Sequence, residues 1–150
     1  MKQKELLSSI DKEAVVAAIA QAESACSGEI RVHIDPSAHG REVRFLAERT
    51  FERLGMTKTD LRNGVLIYIA AKQQQFAVIG DRGIHEKVGP EFWEAVAAHM
   101  VEHFRKGEFT DGVVDAVREV GEQLARHFPH AGEKDVNELS NQISMGDDRP

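Results

Sequence analysis

Acidic side chains in this sequence recur beside turn residues. Asp60 and Asn63 stand in "TDLRNG", Asp81 in "IGDRGI" with Glu86 five residues on, and Glu29 follows Gly28 in "GEIRVHID". Carboxylates, an amide oxygen and backbone carbonyls are the hard donors that Ca2+ or Mg2+ takes, with water completing the shell. Gly80 and Gly83 flank Asp81. Glycine lets the backbone take positive φ or come close to another group, which a plain strand-to-helix connection does not require. These residues predict a divalent-cation site centred on Asp81, with Asp60, Asn63, Glu29 and Glu86 supplying oxygens directly or through water. Ca2+ or Mg2+ is expected over Zn2+, because neither thiolate nor histidine is required. The plainer reading is turn chemistry: Asp81 caps a turn, Asn63-Gly64 is an ordinary turn pair, and Glu29 is a solvated strand end.

Such oxygens meet only if the surrounding elements deliver them to one place. From Asp11 to Cys26, Val15, Ile19, Ala22 and Cys26 fall on one helical stripe. "EIRVHID" alternates Ile30, Val32 and Ile34 against Glu29, Arg31 and His33, a strand with one wetter face that Pro36 ends. "REVRFLAERTFERLG" returns to helical spacing, and Gly55 supplies a stop. Two apolar runs, Val65 to Ala70 and Phe76 to Ile79, are separated by polar residues and read as a hairpin whose first strand is buried on both faces.

A helix carrying Trp93, Val96, Met100 and Phe104 follows, with Pro90 in its first turn and Gly107 at its end. A last long helix runs towards Pro129, with Thr110 or Asp111 as candidate caps and Gly121 as a weak point or a close helix contact. Helices alternating with strands imply a three-layer α/β/α sandwich, a Rossmann-like small mixed sheet with helices on both faces. A crossover helix makes the first two strands parallel, and the hairpin makes the third antiparallel to the second. That topology collects Glu29, Asp60, Asn63 and Asp81 at one end of the sheet.

Length and composition bound the rest. The chain has 150 residues, of which 41% are hydrophobic and 29% charged, as expected of one globular domain. Residues 1–139 are expected to form that domain and 140–150 a flexible tail. A formal charge of −6, with Lys and Arg interspersed among acids, argues against a nucleic-acid surface. A single cysteine, Cys26, allows no intrachain disulfide, and no run approaches the apolar length of a membrane span or signal core, so a cytoplasmic location without membrane insertion is expected.

Sharper motifs are few. "HMVEH" matches the H-x-x-E-H pattern of inverted zinc peptidases at His99 and His103, but it offers no third ligand, and two histidines flanking a core stripe account for it. Neither a phosphate-binding G-x-x-x-x-G-K-[ST] loop nor G-x-G-x-x-G is present.

Taken in order, "SGEIRVHI", "RNGVLIYIA", "GDRGI", "FTDGVVDAV", "HFP" and "DVNEL" resemble the TPM domain family, whose members include thylakoid-lumen and bacterial phosphatase-like proteins. The resemblance spans roughly Ile10 to Leu139, and the matching positions are Asn63, Gly64, Gly80, Asp81, Gly83, Asp111 and Gly112. It implies a Rossmann-like α/β/α fold, divalent-cation binding in some members and an acid-phosphatase activity ascribed to others. Lacking a secretory start, a transmembrane helix and a Gly-rich tail, the sequence is similar to a cytoplasmic single-domain kind. The expected function is a divalent-cation-binding module of regulatory or protein-associating role; the alternative is a metal-assisted phosphatase-like hydrolase of phosphomonoesters, with Arg62, Arg82 and His85 as the nearest basic groups.

Overall fold

The computed structural model describes residues 10–129 and 144–145. Its elements run α1 (Lys12–Ser24), β1 (Glu29–Asp35), α2 (Val43–Arg53), a 3-10 turn (Met56–Lys58), β2 (Gly64–Ala70), β3 (Gln75–Gly80), α3 (Arg82–Val88), α4 (Pro90–Arg105), α5 (Phe109–His127) and β4 (Ser144–Met145). The sheet order is β3-β2-β1-β4. β1 and β2 are parallel from Glu29↔Gly64 to Asp35↔Ala70, and β2 and β3 are antiparallel from Val65↔Gly80 to Ala70↔Gln75. The expected mixed sheet and hairpin are therefore present. His33 and Ile34 pair in parallel with Ser144 and Met145; the rest of the 140–150 segment lies outside the described residues.

Helices cover both faces, unequally. Ile30, Val32 and Ile34 of β1, with Val65, Ile67, Ile69 and Val78, meet Val15 and Ile19 of α1, Trp93, Val96 and Met100 of α4, and Val113, Val117, Val120 and Leu124 of α5. Each such side chain contributes about 1.5–3 kcal/mol on burial, so this layer dominates stability. On the opposite face Leu66, Tyr68 and Ala77 pack against Ala47 and Phe51 of α2 and against Met56. Every residue of β2 is buried, as its unbroken apolar run requires.

Details differ from the sequence expectation where packing intervenes. The polar face of β1 is not wet, since Glu29 and His33 are each only 2% exposed. The turn after β3 winds into a seven-residue helix, α3, that the apolar pattern did not announce. α5 starts at Phe109 with Glu108 as N-cap and no side-chain cap bond; Thr110 Oγ1 instead accepts the Asp11 N–H at 2.9 Å. Asp11 itself caps α1 through the Ala14 N–H. Gly55 and Gly107, with φ of 72° and 77°, take the left-handed conformation that ends helices. Gly121 is a close helix contact, because a Cβ there would lie 2.7 Å from that of Ala22.

Candidate functional site

The register brings the ends of three strands together. Glu29 sits beside Gly64, and Gly80 beside Val65, so the loops carrying Asn63 and Asp81 meet at the entry to β1 and β2. Asp81 is 7% exposed and does three things there. Its carboxylate forms a bidentate pair with Arg62, Oδ2 accepting from Nε at 2.6 Å and Oδ1 from Nη2 at 2.9 Å. Oδ1 also accepts the Arg82 N–H at the start of α3, at 2.8 Å. Its own N–H donates to the Gly64 carbonyl at 2.8 Å, extending the β2–β3 ladder.

Both flanking glycines are there for close approach. A Cβ at residue 83 would lie 2.2 Å from the Leu61 carbonyl oxygen and 2.6 Å from that of Arg62, and a Cβ at residue 80 would overlap the Trp93 ring. The gap lets the Gly83 N–H reach the Arg62 carbonyl at 2.8 Å. It also holds Arg62 at a φ of 52°, a conformation that costs a non-glycine residue energy and persists only where its surroundings enforce it. Its pairing with Asp81 raises the guanidinium pKa further above its already high value. Of the basic groups beside this edge, Arg62 is a structural partner and His85 accepts the Trp93 indole N–H at Nδ1, 2.9 Å; Arg82 is exposed.

The expected ligands share this end of the sheet without converging on one point. β2 stands between Glu29 and Asp81, and both Asp81 oxygens are turned to Arg62. Asp60 and Glu86 are exposed. Asn63 is buried, takes the Thr59 hydroxyl oxygen on its N–H at 3.2 Å, and leaves its side-chain Nδ2 without a hydrogen-bond partner. Among the described residues no three His, Cys, Asp or Glu side chains are grouped as metal ligands.

Glu29 has a neighbour that spacing did not reveal. Glu23, in the last turn of α1, folds back over the edge of β1, and its Oε2 accepts the Ile30 N–H at 2.8 Å. Burial, and secondarily the charge of Glu29 and a carboxyl–carboxyl hydrogen bond with it, push the Glu23 pKa up to about 8 against the lowering effect of the Ile30 bond. Its other oxygen, Oε1, is buried and receives no hydrogen bond from a fixed donor. Burial beside Glu29 thus favours the protonated form of Glu23. Glu23 lies on a helix and Glu29 on a strand, and only a reversal of the chain at Cys26 to Gly28 joins them. A pair of glutamates six residues apart carries no periodicity that would signal this.

The opposite end of β1 is basic. Asp35 accepts from His33 Nε2 at 2.9 Å and from the Tyr68 hydroxyl, and the His33 and Tyr68 rings stack 5.8 Å apart. Burial opposes ionisation of Asp35, but those bonds and the charges of His33 and Arg53 together hold its pKa below the usual value. The Tyr68 hydroxyl is pushed upward, by burial first and then by Asp35. A cavity of about 770 Å3 opens beside Asp35, bounded by Ser37, Ala38 and the exposed face of α2.

The histidine motif on α4 resolves into helix clasps. His99 Nδ1 bonds Glu119 at 2.7 Å, whereas His103 is held by Glu108 at Nδ1, 2.9 Å, and by Asp115 at Nε2, 2.8 Å. Glu102 is exposed. Both nitrogens of His103 thus face carboxylates rather than a shared metal position.

A sequence profile of the TPM domain matches residues 1–123. Among solved structures, the BA42 protein from the psychrophilic bacterium Bizionia argentinensis is 39% identical, with 90% of this chain and 92% of that one covered and a TM-score of 0.81. The N-terminal domain of a P. gingivalis protein, at 18% identity, covers 76% of this chain and 75% of its own with a TM-score of 0.62. That of the cg2496 protein from Corynebacterium glutamicum, at 13%, covers 78% and 75% with a TM-score of 0.60. These two share the fold. No curated protein matches the chain. No helix among the described residues is long and apolar enough to cross a membrane.

Proposed function

This chain belongs to the TPM domain family, and we propose that it acts there as a divalent-cation-binding module that regulates or associates with other proteins, with the ion taken at the Glu23–Glu29 carboxyl pair. The single observation that carries the reading is Glu23 Oε1, a buried carboxylate oxygen with no fixed donor on a group whose pKa stands near 8. A hard cation satisfies the same oxygens as the Glu23 proton and removes the cost of two adjacent buried charges. Glu29 keeps the ligand role expected of it, Glu23 joins it, and Asn63 stands next to Glu29, whose N–H meets its carbonyl at 3.5 Å. Asp60 and Glu86 add negative charge from farther out, while the charge of Asp81 is answered by Arg62. Two carboxylates with water filling the remaining positions suit a weakly held Ca2+ or Mg2+.

The hydrolase alternative has less behind it. A metal that assists phosphomonoester cleavage must touch a phosphoryl oxygen or the attacking water. The arginine-bearing cavity lies beside Asp35, at the far end of the seven-residue β1 from Glu29, roughly 20 Å away at ~3.3 Å per residue. An ion at one end cannot serve a phosphoryl group held at the other.

The test is thermal unfolding of metal-stripped protein with Ca2+ or Mg2+ added. An ion that binds only the folded state at about 100 times its dissociation constant adds about 2.7 kcal/mol, a rise of several degrees in Tm. The shift should grow from pH 6 to pH 8.5 as the competing proton leaves, and it should vanish in Glu23→Gln and Glu29→Gln. Asp81→Asn should keep it on a lower baseline. Absence of any shift at millimolar ion, or an equal shift in Glu23→Gln, would end the proposal.

A further inference from the structure

The cavity beside Asp35 is lined along one side by Arg41, Phe45, Arg49 and Arg53, whose four-residue spacing makes a single stripe along α2 and its N-terminal approach. The guanidinium carbons of Arg41 and Arg49 each lie 5.6 Å from the centroid of the Phe45 ring, which is 40% exposed between them. Asp35 is the single acid among the described lining residues. Burial opposes its charge, and bonds from His33 and Tyr68 and then the charge of Arg53 favour it. Its two oxygens are engaged by His33 Nε2 and the Tyr68 hydroxyl, and it is one carboxylate beside three arginines.

The chain returns to this end of the sheet after β4. β4 is parallel to β1, with His33 beside Ser144 and Ile34 beside Met145, so one further step along the register is the level of Asp35. A parallel neighbour leaves the sheet at the same end as β1, and the residues that follow Met145 in sequence are Gly146, Asp147 and Asp148. Strands stand about 4.8 Å apart and an extended chain advances ~3.3–3.6 Å per residue, so two residues cover the width of β1. β4 itself has two residues, too few for ladder bonds alone to fix a strand, and an anchor past its end supplies what they do not.

We infer that Asp147 and Asp148 dock in this cavity in cis, their carboxylates paired with Arg49 and Arg53, so that the arginine stripe anchors β4 to the sheet. With Asp35 they make three carboxylates for the three arginines of the lining. Guanidinium and carboxylate match as two forks joined by parallel N–H···O bonds. The tether makes the contact intramolecular, at an effective concentration in the millimolar range, so pairs too weak to hold a free acidic peptide hold this segment. Gly146, between the strand and the acids, gives the backbone freedom to turn towards α2. The inference stands apart from the cation reading, since the two sites lie at opposite ends of β1.

The experiment is NMR of the full chain, comparing wild type with Asp147→Asn/Asp148→Asn, Arg49→Gln/Arg53→Gln, the combination of all four, and Arg44→Gln. Neutralising the two acids should shift the Arg49 and Arg53 Nε–H signals and the amides from Asp35 to Arg53. It should also quicken hydrogen exchange at the Met145 amide by about fivefold, the worth of one or two exposed ion pairs. Arg49→Gln/Arg53→Gln should quicken it equally and move the Asp147 and Asp148 amides, the combined variant should add nothing further, and Arg44→Gln should leave all of these unchanged. The substituted arginines are exposed, so these variants fold and the comparison stands. Lining signals unmoved when the acids are neutralised, additive effects in the combined variant, or arginine substitutions that move the acids of 130–143 in place of Asp147 and Asp148 would overturn the inference. Lining shifts that grow with protein concentration would assign the acids to a second copy and overturn docking in cis.

Discussion

Replacing Glu23 by Gln should make the protein more stable, and only at neutral to alkaline pH. The ordinary carboxyl value of 4.5 is raised to about 8 in the folded chain, by burial first and by Glu29 next. The folded state therefore holds a proton on Glu23 that the unfolded state releases between those values. The stability tied to that proton is fully present below about pH 4.5 and is lost as pH rises through about 8. At about 1.4 kcal/mol per pKa unit the full span is worth on the order of 5 kcal/mol. The side chain keeps partial solvent contact, so somewhat under half of that, about 2 kcal/mol, is the expected effect.

Glutamine keeps the oxygen that accepts the Ile30 N–H and gives Glu29 a permanent donor, without the charge. At about 2–4 °C per kcal/mol for a domain of this size, Glu23→Gln should match wild type near pH 4.5 and melt roughly 4–8 °C higher near pH 8.5. Differential scanning calorimetry across that range in metal-free buffer reads it directly. A difference that does not grow with pH, or a variant less stable than wild type at pH 8.5, would mean that burial beside Glu29 does not hold a proton on Glu23 and that the pair is solvated.

Two further outcomes follow from the ion pairs. Arg62→Gln leaves the buried Asp81 carboxylate without its bidentate partner, so it should lower Tm by several degrees, whereas Arg44→Gln, which breaks an exposed pair, should change it little; equal effects would show that Asp81 is content with its helix-capping bond. His103 is held in its charged form chiefly by its bond to Glu108, with Asp115 adding and burial opposing, which raises its pKa above 6.5. The stability it lends is complete below that value and is lost as pH rises through the raised one. His103→Gln should therefore cost about 1–2 °C near pH 6 and nothing near pH 9, and a pH-independent difference in melting would reject the clasp.

Much of this architecture is determined by the sequence alone, because it is written in periodicity. The period-two pattern of Ile30, Val32 and Ile34, the unbroken run from Val65 to Ala70 and the helical stripes through Trp93 to Phe104 and Val113 to Leu124 each select one element by local geometry. A crossover helix and a short hairpin then leave one way to order the three strands, which is why the meeting of Glu29, Asn63 and Asp81 at one end was legible. The stripe Arg41, Phe45, Arg49 and Arg53 was equally readable as a helix face, although nothing in the spacing says that it borders a cavity.

What tertiary structure decided is which charge answers which. Asp81 reads as a ligand until the left-handed turn at Arg62, held in place by the missing side chain of Gly83, swings a guanidinium onto it. Glu23 carries no signal in the spacing, and only the reversal into β1 buries it beside Glu29. Electrostatic partnership depends on distances of a few ångströms between residues far apart or unpatterned in the chain, and on how much water packing leaves around them. Periodicity carries neither quantity, so the ionic pairings of this domain exist only in its folded form.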